Sequence, residues 1–570
     1  MQRRTFIKHS RDAFLLTPIL PVGFDLLKSD LSNNPKGLQA RLIQANDSLL
    51  PGAVASQITH KNHKWYGGCK DVYDIPNAGN TASMIKIVSG SYVSPASSYY
   101  KAEELKGPLM AGIRYLLNTQ YEDGTQDLHT TNFHSTPDTA FRVEPLAQSY
   151  QILSNSRQNG LKEILSSLKE FLLKAGKALS TGGIHTANHR WVVCMALAHL
   201  YYLFPHEEYL ARVNTWMKET IDIDPDGQYT ERSTTVYSPT VDRCLITIAR
   251  YMDKPELLDH VRKNLEMTLY YIRPNGEVVT EASGRQDQYQ VGNLLRYYYP
   301  YRYMALKDNN GQFASVTHHI ESALSEHLSS YLIYFLEDPS LLKDLPVFLP
   351  LPENYTRHFS HSQLARIRRN QTDATILAQN HVIFSMAKGN AILSGLRVAT
   401  AFFGKGQFKG ESLVVNHNEY ILEQSLTGPY YQPLHNKTFR PESEDFGAIR
   451  DLREQSEIQQ LHTRVHFIEK NGKFEVTLAI DGTDNVPVSL ELGFREGGGL
   501  QGVVPSPHVE KAWLLKEGYG KYTKDGQEIS FGPGIAEHSW TQLRGAMPKL
   551  DGMSVYLTGY TPFNITLYIA

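Results

Sequence analysis

The sequence predicts an α+β chain of two segregated modules, helices first and strands second. Three observations carry this. Apolar residues recur every three or four positions from about Gly107 to Asp338. They alternate with period two beyond about Thr372. A Pro-rich stretch, Pro339 to Pro352, separates the two patterns. At 570 residues the chain can bury about three-quarters of its unfolded surface, so a large core is available.

The chain opens MQRRTFIKHS, and Arg3 and Arg4 precede an apolar run from Ala13 to Phe24. This resembles a bacterial twin-arginine export signal. Residues 1–24 are therefore expected to be an address, and the protein periplasmic or secreted. No later stretch has the roughly 18 unbroken apolar residues that span a bilayer.

Residues 25–338 are expected to form the helical module. Leu161, Ile164, Leu165, Leu168, Phe171, Leu172 and Ala175 draw one apolar stripe on a helix. Tyr209, Leu210, Val213, Trp216 and Met217 draw a second, and Leu257, Val261 and Leu265 a third, after a break at Pro255. Trp191 to Leu203 is apolar almost all round, apart from His199, so that helix is expected to be buried on most sides. One-faced and all-round helices together suit two concentric layers. Asp224-Pro-Asp-Gly227 and Pro274-Asn-Gly276 separate helices.

Residues 339–371 read as a linker and 372–570 as the β module. Phe474, Val476, Leu478 and Ile480 alternate with Glu475, Thr477 and Ala479. Val488 to Phe494 and Phe563 to Ile569 repeat the pattern. Asn471-Gly472 between Val465–Ile468 and Phe474–Ile480 is a strong hairpin signal. An antiparallel β-sandwich of roughly 200 residues fits such one-sided faces.

Composition narrows the function. The 57 Lys+Arg nearly cancel the 59 Asp+Glu, so no strong field attracts nucleic acid, and none is expected as a partner. Tyr is abundant, 33 against 5 Trp, which suits polar, stackable ligands such as sugars. Cys69, Cys194 and Cys244 are too few, and odd in number, for a disulfide framework. On size, a monomer or homodimer is expected.

Four polar clusters sit at helix ends, where backbone groups are unpaired and side chains can converge. They are Asp127 to His134 with Asp138, Arg142 and Glu144; His185 to Trp191; Asp226 to Ser233 with Tyr237, Asp242 and Arg243; and Glu281 to Asp287. Asp226-Gly227 reads equally well as a plain turn. Asp138 and Arg142 have the i,i+4 spacing of an ion pair. Asn188-His189 leads into the most apolar helix, and burying two such groups unpaired would cost about 1–3 kcal/mol each. His185 and His189 stand four apart, but no HExxH-type motif surrounds them. G-x-S-x-G and phosphate-loop motifs are absent at the polar clusters. His, Tyr, Asn and Arg together suit β-elimination from a uronate. Asn, protonated His or Arg can neutralise the developing enolate, Tyr or neutral His can take the α proton, and Tyr can return one to the leaving oxygen.

Asn188-His189-x-Trp191 leading into a buried helix, then Asp226-Gly-Gln-Tyr-Thr-Glu231-Arg232-Ser233 with Tyr237 downstream, resembles the heparinase II/III-like polysaccharide lyases. The order of segments is also similar to the rhamnose–glucuronate lyases that act on arabinogalactan. The resemblance implies an N-terminal (α/α) toroid joined to a C-terminal antiparallel β-sandwich, and a carbon–oxygen lyase acting on an acidic polysaccharide. It implies Asn188 at the carboxylate, His189 beside it, and Tyr237 as acid/base, with Tyr229 as the alternative. It also implies a β-module His, for which His417 and His435 are the candidates. We add His134 to this catalytic set, and expect Arg232, Glu231, Tyr229, Arg285, His185, His417 and Tyr431 to bind substrate. No cofactor is expected to be required; a structural divalent metal in the sandwich is left open. Competing readings are a toroid glycoside hydrolase, with Asp226, Glu231, Asp138 and Glu144 as candidate carboxylates, and a non-catalytic glycan-binding protein.

Overall fold

The computed structural model describes residues 35–434 and 446–570. The expected export signal and His435 lie outside them. The chain divides into two compact units, 35–272 with 276–351, and 273–275 with 352–570.

The first unit is helical. Its helices are α1 (Pro35–Ala55), α2 (Ala78–Val93), α3 (Lys106–Thr119), α4 (Thr136–Asn155), α5 (Lys162–Thr181), α6 (Ala187–Leu203), α7 (Glu207–Met217), α8 (Tyr237–Tyr251), α9 (Leu257–Leu269), α10 (Tyr298–Asp308), α11 (Gly311–Ala323) and α12 (Leu332–Glu337). The helices α2, α4, α6 and α8 pack side by side in that order, and α3, α5, α7 and α9 pack against them. This is a toroid of inner and outer layers. The three amphipathic stripes fall on α5, α7 and α9, and the all-round apolar segment is the inner helix α6. Every residue of α6 from Trp191 to Ala198 is fully enclosed. Position in the ring thus follows from how much of each helix surface is apolar.

The short helix α12 receives side chains from several inner helices. Its Glu337 accepts from Gln148 of α4 and Tyr251 of α8 and lies 3.9 Å from His199 of α6. Tyr334 of α12 donates to Glu144 of α4 and stacks on Tyr299 of α10. These buried polar groups interlock the ring.

The second unit is a β-sandwich of a nine-stranded and an eight-stranded sheet. Phe384 of one packs on Phe467 and Phe474 of the other. All pairings in the two sheets are antiparallel except Ala512–Leu514 with Met553–Tyr560. The Asn471-Gly472 turn joins Gln455–Lys470 to Lys473–Gly482, with φ of 51° and 80°, as a tight hairpin with left-handed central residues requires.

One boundary differs from expectation. The segment 339–371, expected as a linker, carries strands Asn354–Phe359 and Leu364–Arg369 at the edge of the nine-stranded sheet. Period two is masked there because Leu364 to Arg368 is buried on both faces. The alternate residues include Arg366, whose charge is met by buried Asp373.

No helix among the described residues is long and apolar enough to cross a membrane.

Candidate active site

The N-terminal ends of α2, α4, α6 and α8 meet at one rim of the toroid. Phe141 of α4 lies edge-on to His189 of α6, and Gly79 of α2 faces the Arg142 guanidinium of α4. The helix dipoles make such a rim favourable to anions.

Each helix is started by a different local device. Asn77 caps α2 through its side chain, and Ser135 caps α4. Thr186, before α6, makes no side-chain cap. The cap comes instead from Glu231, whose Oε1 accepts the Asn188 backbone N–H at 2.7 Å and the Asn188 side-chain amide at 2.5 Å. The α8 terminus is held by Ser233, whose hydroxyl accepts the Tyr237 N–H at 3.1 Å.

Asn188 is 2 % exposed, and with its NH2 on Glu231 its Oδ1 has no hydrogen-bond partner. His189 follows it. Burial and the neighbouring His185, 4.6 Å away ring to ring, lower the His189 imidazole to about 4, so it is neutral at ordinary pH. Its Nδ1 makes no hydrogen bond. Tyr237 is half-buried at the start of α8. Its hydroxyl accepts from Gln286 Nε2 at 2.8 Å, and the Arg285 guanidinium lies over its ring at 5.3 Å. Arg285 Nε also sits 3.5 Å from Glu231 Oε2. Asn188, Glu231, Arg285 and Tyr237 therefore form one chain of contacts, and His189 neighbours it.

Other expected site residues are placed differently. Tyr229, proposed at the substrate, lies in the core. Its hydroxyl donates to Asp242 at 2.9 Å, and burial drives both groups well above their ordinary values. An aromatic side chain with an apolar body is drawn inward, and sequence cannot separate that from a ligand role. His134, expected in the catalytic set, sits on a strand of the Gln126–Ser135 hairpin. It pairs with Asp123 at 3.0 Å and stacks on Tyr121. Glu231, expected to bind substrate, turns inward as a helix cap. Arg232 adopts φ of 47°, and its carbonyl accepts from the Gly284 N–H. In the β unit, His417 occupies the turn between Leu413–Asn416 and Glu419–Tyr431, with Asn416 on its Nδ1, and Tyr431 lies under Arg450.

The structural alternatives weighed from sequence hold at several positions. Asp226-Gly227 is a turn in which Asp224 accepts three successive backbone N–H groups. Gly227 there has φ of 103° and no room for a Cβ against Lys263. Trp191 packs, its N–H on Asp222. The hydrolase carboxylates have partners of their own. Asp138 accepts from Asn132 and Ser135 beside Arg142, and Glu144 is enclosed with Arg243 and Tyr334. Gln286 was not singled out from sequence, although it stands beside Arg285 in the fourth polar cluster. Among the described residues no group of three or more His, Cys, Asp or Glu is arranged to hold a metal ion.

No family model and no curated protein matches the sequence. Solved structures do match. Heparinase III superposes with a TM-score of 0.54 over 92 % of this chain and 84 % of its own, at 11 % identity. Chondroitin AC lyase of Streptomyces coelicolor A3, in complex with chondroitin sulphate, gives 0.54 over 93 % and 79 %, at 13 % identity. Its tyrosine-to-alanine variant gives 0.50 over the same shares, at 12 % identity. The chain shares their fold. A helical toroid followed by an antiparallel β domain is common to all, while identities this low speak to architecture alone.

Proposed function

We propose that the chain is a polysaccharide lyase that cleaves a uronic-acid-containing glycan by β-elimination. The observation that carries this reading is the setting of Tyr237. Its oxygen already accepts from Gln286, so its own O–H is available to donate; Arg285 lies over its ring, and the neutral His189 feels the charge of the same Arg285.

The division of labour follows. A uronate carboxylate is drawn to Arg285 and to the helix N-termini of the rim. His189 takes the proton from the carbon alpha to the carboxylate. The electron pair forms a carbon–carbon double bond, the bond to the glycosidic oxygen breaks, and Tyr237 returns a proton to that oxygen. The products are an unsaturated uronate end and a new chain end. Arg285 stabilises the enolate-like charge in between. Asn188, its NH2 held by Glu231, orders the start of α6 beside His189. The inward-turned carboxylates Glu231, Asp138 and Glu144 favour elimination over the two-carboxylate hydrolase.

For the substrate we propose the rhamnose–glucuronate linkage of arabinogalactan, supported by the order of the polar segments in the sequence, and for the location export by the Arg3-Arg4 signal. Ultraviolet absorbance with a panel of uronate polymers tests the reaction and the substrate together. Elimination leaves a conjugated double bond, and hydrolysis does not.

A further inference from the structure

We propose that Asp287 is a positioning residue: a buried clasp of Asp287, Thr235 and Ser283 holds the 281–287 loop so that Arg285 and Gln286 stay over Tyr237. The inference rests on the lyase reading for its catalytic consequence, but the clasp itself is a matter of geometry.

The two loops that meet here come from different places in the chain. Residues 230–236 lead into α8, and residues 281–287 follow the break after α9. Asp287 is buried, and its Oδ2 accepts from the Thr235 N–H, the Thr235 hydroxyl and the Ser283 hydroxyl at 3.0, 3.0 and 3.1 Å. Ser283 Oγ in turn accepts the Thr234 N–H at 3.0 Å and lies 2.9 Å from the Thr234 hydroxyl. The Gly284 N–H donates to the Arg232 carbonyl at 2.7 Å. Tyr297 closes the back of the clasp by donating to the Thr234 carbonyl. A buried carboxylate with three donors is a costly group to detach, so the loop has one seat.

The groups that this seat delivers are themselves exposed. Arg285 and Gln286 are long, solvent-facing side chains. Left on a free loop they would sample many rotamers, and their contacts with Tyr237 and Glu231 would be transient. The carboxylate of Asp287 makes no contact with Tyr237. It acts through the two residues before it, which places it outside the reacting groups while fixing the partners of the proposed acid.

The test reads loop position without a substrate. Trypsin is expected to cut after Arg285 faster once the loop leaves its seat. Cleavage at that bond, mapped by mass spectrometry, is expected to rise about tenfold or more in Asp287→Ala and Ser283→Ala, while other sites keep their wild-type rates. Equal protection in wild type and both variants overturns the proposal. If Asp287→Ala is digested throughout because it does not fold, the milder Ser283→Ala decides. On a polymer that the wild type cleaves, Ser283→Ala is expected to lower kcat/KM about tenfold. In an Arg285→Ala/Gln286→Ala background it is expected to add no further loss, because all three substitutions act through one contact set. An undiminished loss in that background means a general structural role and overturns the proposal. If the wild type eliminates no uronate polymer, the lyase reading falls, and the cleavage map still decides the clasp.

Discussion

Asn188 and Glu231 are joined twice, the backbone N–H and the side-chain amide of Asn188 both donating to a single carboxylate oxygen of Glu231. One residue therefore starts the buried helix α6 and fixes the orientation of the Asn188 amide. A carboxylate this close demands the NH2, which leaves the buried amide oxygen without a hydrogen-bond partner.

Replacing Glu231 separates these tasks. Glu231→Ala removes a helix cap and leaves buried donors unpaired, and is expected to cost about 1–3 kcal/mol of stability. Glu231→Gln keeps the shape and one acceptor, and is expected to fold with a smaller loss. Both are expected to lower elimination by about tenfold or more, as the Asn188 amide is freed to turn. Melting curves and initial rates check this; full activity in Glu231→Ala contradicts the orienting role.

The two tyrosines of the third polar cluster are expected to behave oppositely. Tyr237→Phe keeps the ring and removes the proposed acid, so the rate is expected to fall about 100-fold or more with binding and melting temperature preserved. Tyr229→Phe leaves buried Asp242 without its donor, so stability is expected to fall by about 1–3 kcal/mol while each folded molecule keeps its activity. Calorimetric binding, melting and rates on both variants distinguish a site residue from a core residue.

The pH profile follows from His189. As the proposed base it must be neutral, and burial beside His185 has moved it down to about 4. The acid limb of kcat/KM is therefore expected near pH 4 and not near the ordinary histidine value of about 6.5. A limb near pH 6.5 that vanishes in His189→Ala would show that the imidazole is not held neutral.

His199 gives a stability counterpart. It is enclosed between Glu337 and Tyr251, and burial lowers it to about 4. The unfolded chain binds a proton there below about pH 6.5, whereas the folded chain does not until about pH 4. Stability from this group is full above pH 6.5 and is lost as pH falls towards 4, by up to roughly 3 kcal/mol. Urea unfolding at pH 7 and pH 5 is expected to show a smaller difference in His199→Phe than in wild type.

Periodicity made most of the architecture legible. Stripes on α5, α7 and α9 and the all-round apolar run of α6 gave the two layers, and Asn471-Gly472 gave its hairpin. The strand 364–369 escaped because Arg366 is buried against Asp373, and a buried ion pair erases the polar/apolar alternation that marks a strand; the strand 354–359 escaped because it is an edge strand exposed at most positions. At the proposed site, Asn188, His189 and Tyr237 were legible as polar residues beside helix starts, and Arg285 as part of a polar cluster, which the fold places in the loop after α9. The inward turn of Glu231 and the burial of Tyr229 were not, because a carboxylate that caps a distant helix and a tyrosine that donates to a buried aspartate depend on partners 43 and 13 positions away. Gln286 was hidden for the same reason, 49 positions from Tyr237.

The most direct test of the central claim is ultraviolet absorbance of the purified protein with uronate polymers, arabinogalactan with rhamnose caps among them, run beside Tyr237→Phe. A rise in absorbance for the wild type that Tyr237→Phe abolishes is the expected result. New reducing ends without absorbance, or a rise that Tyr237→Phe leaves unchanged, would contradict it.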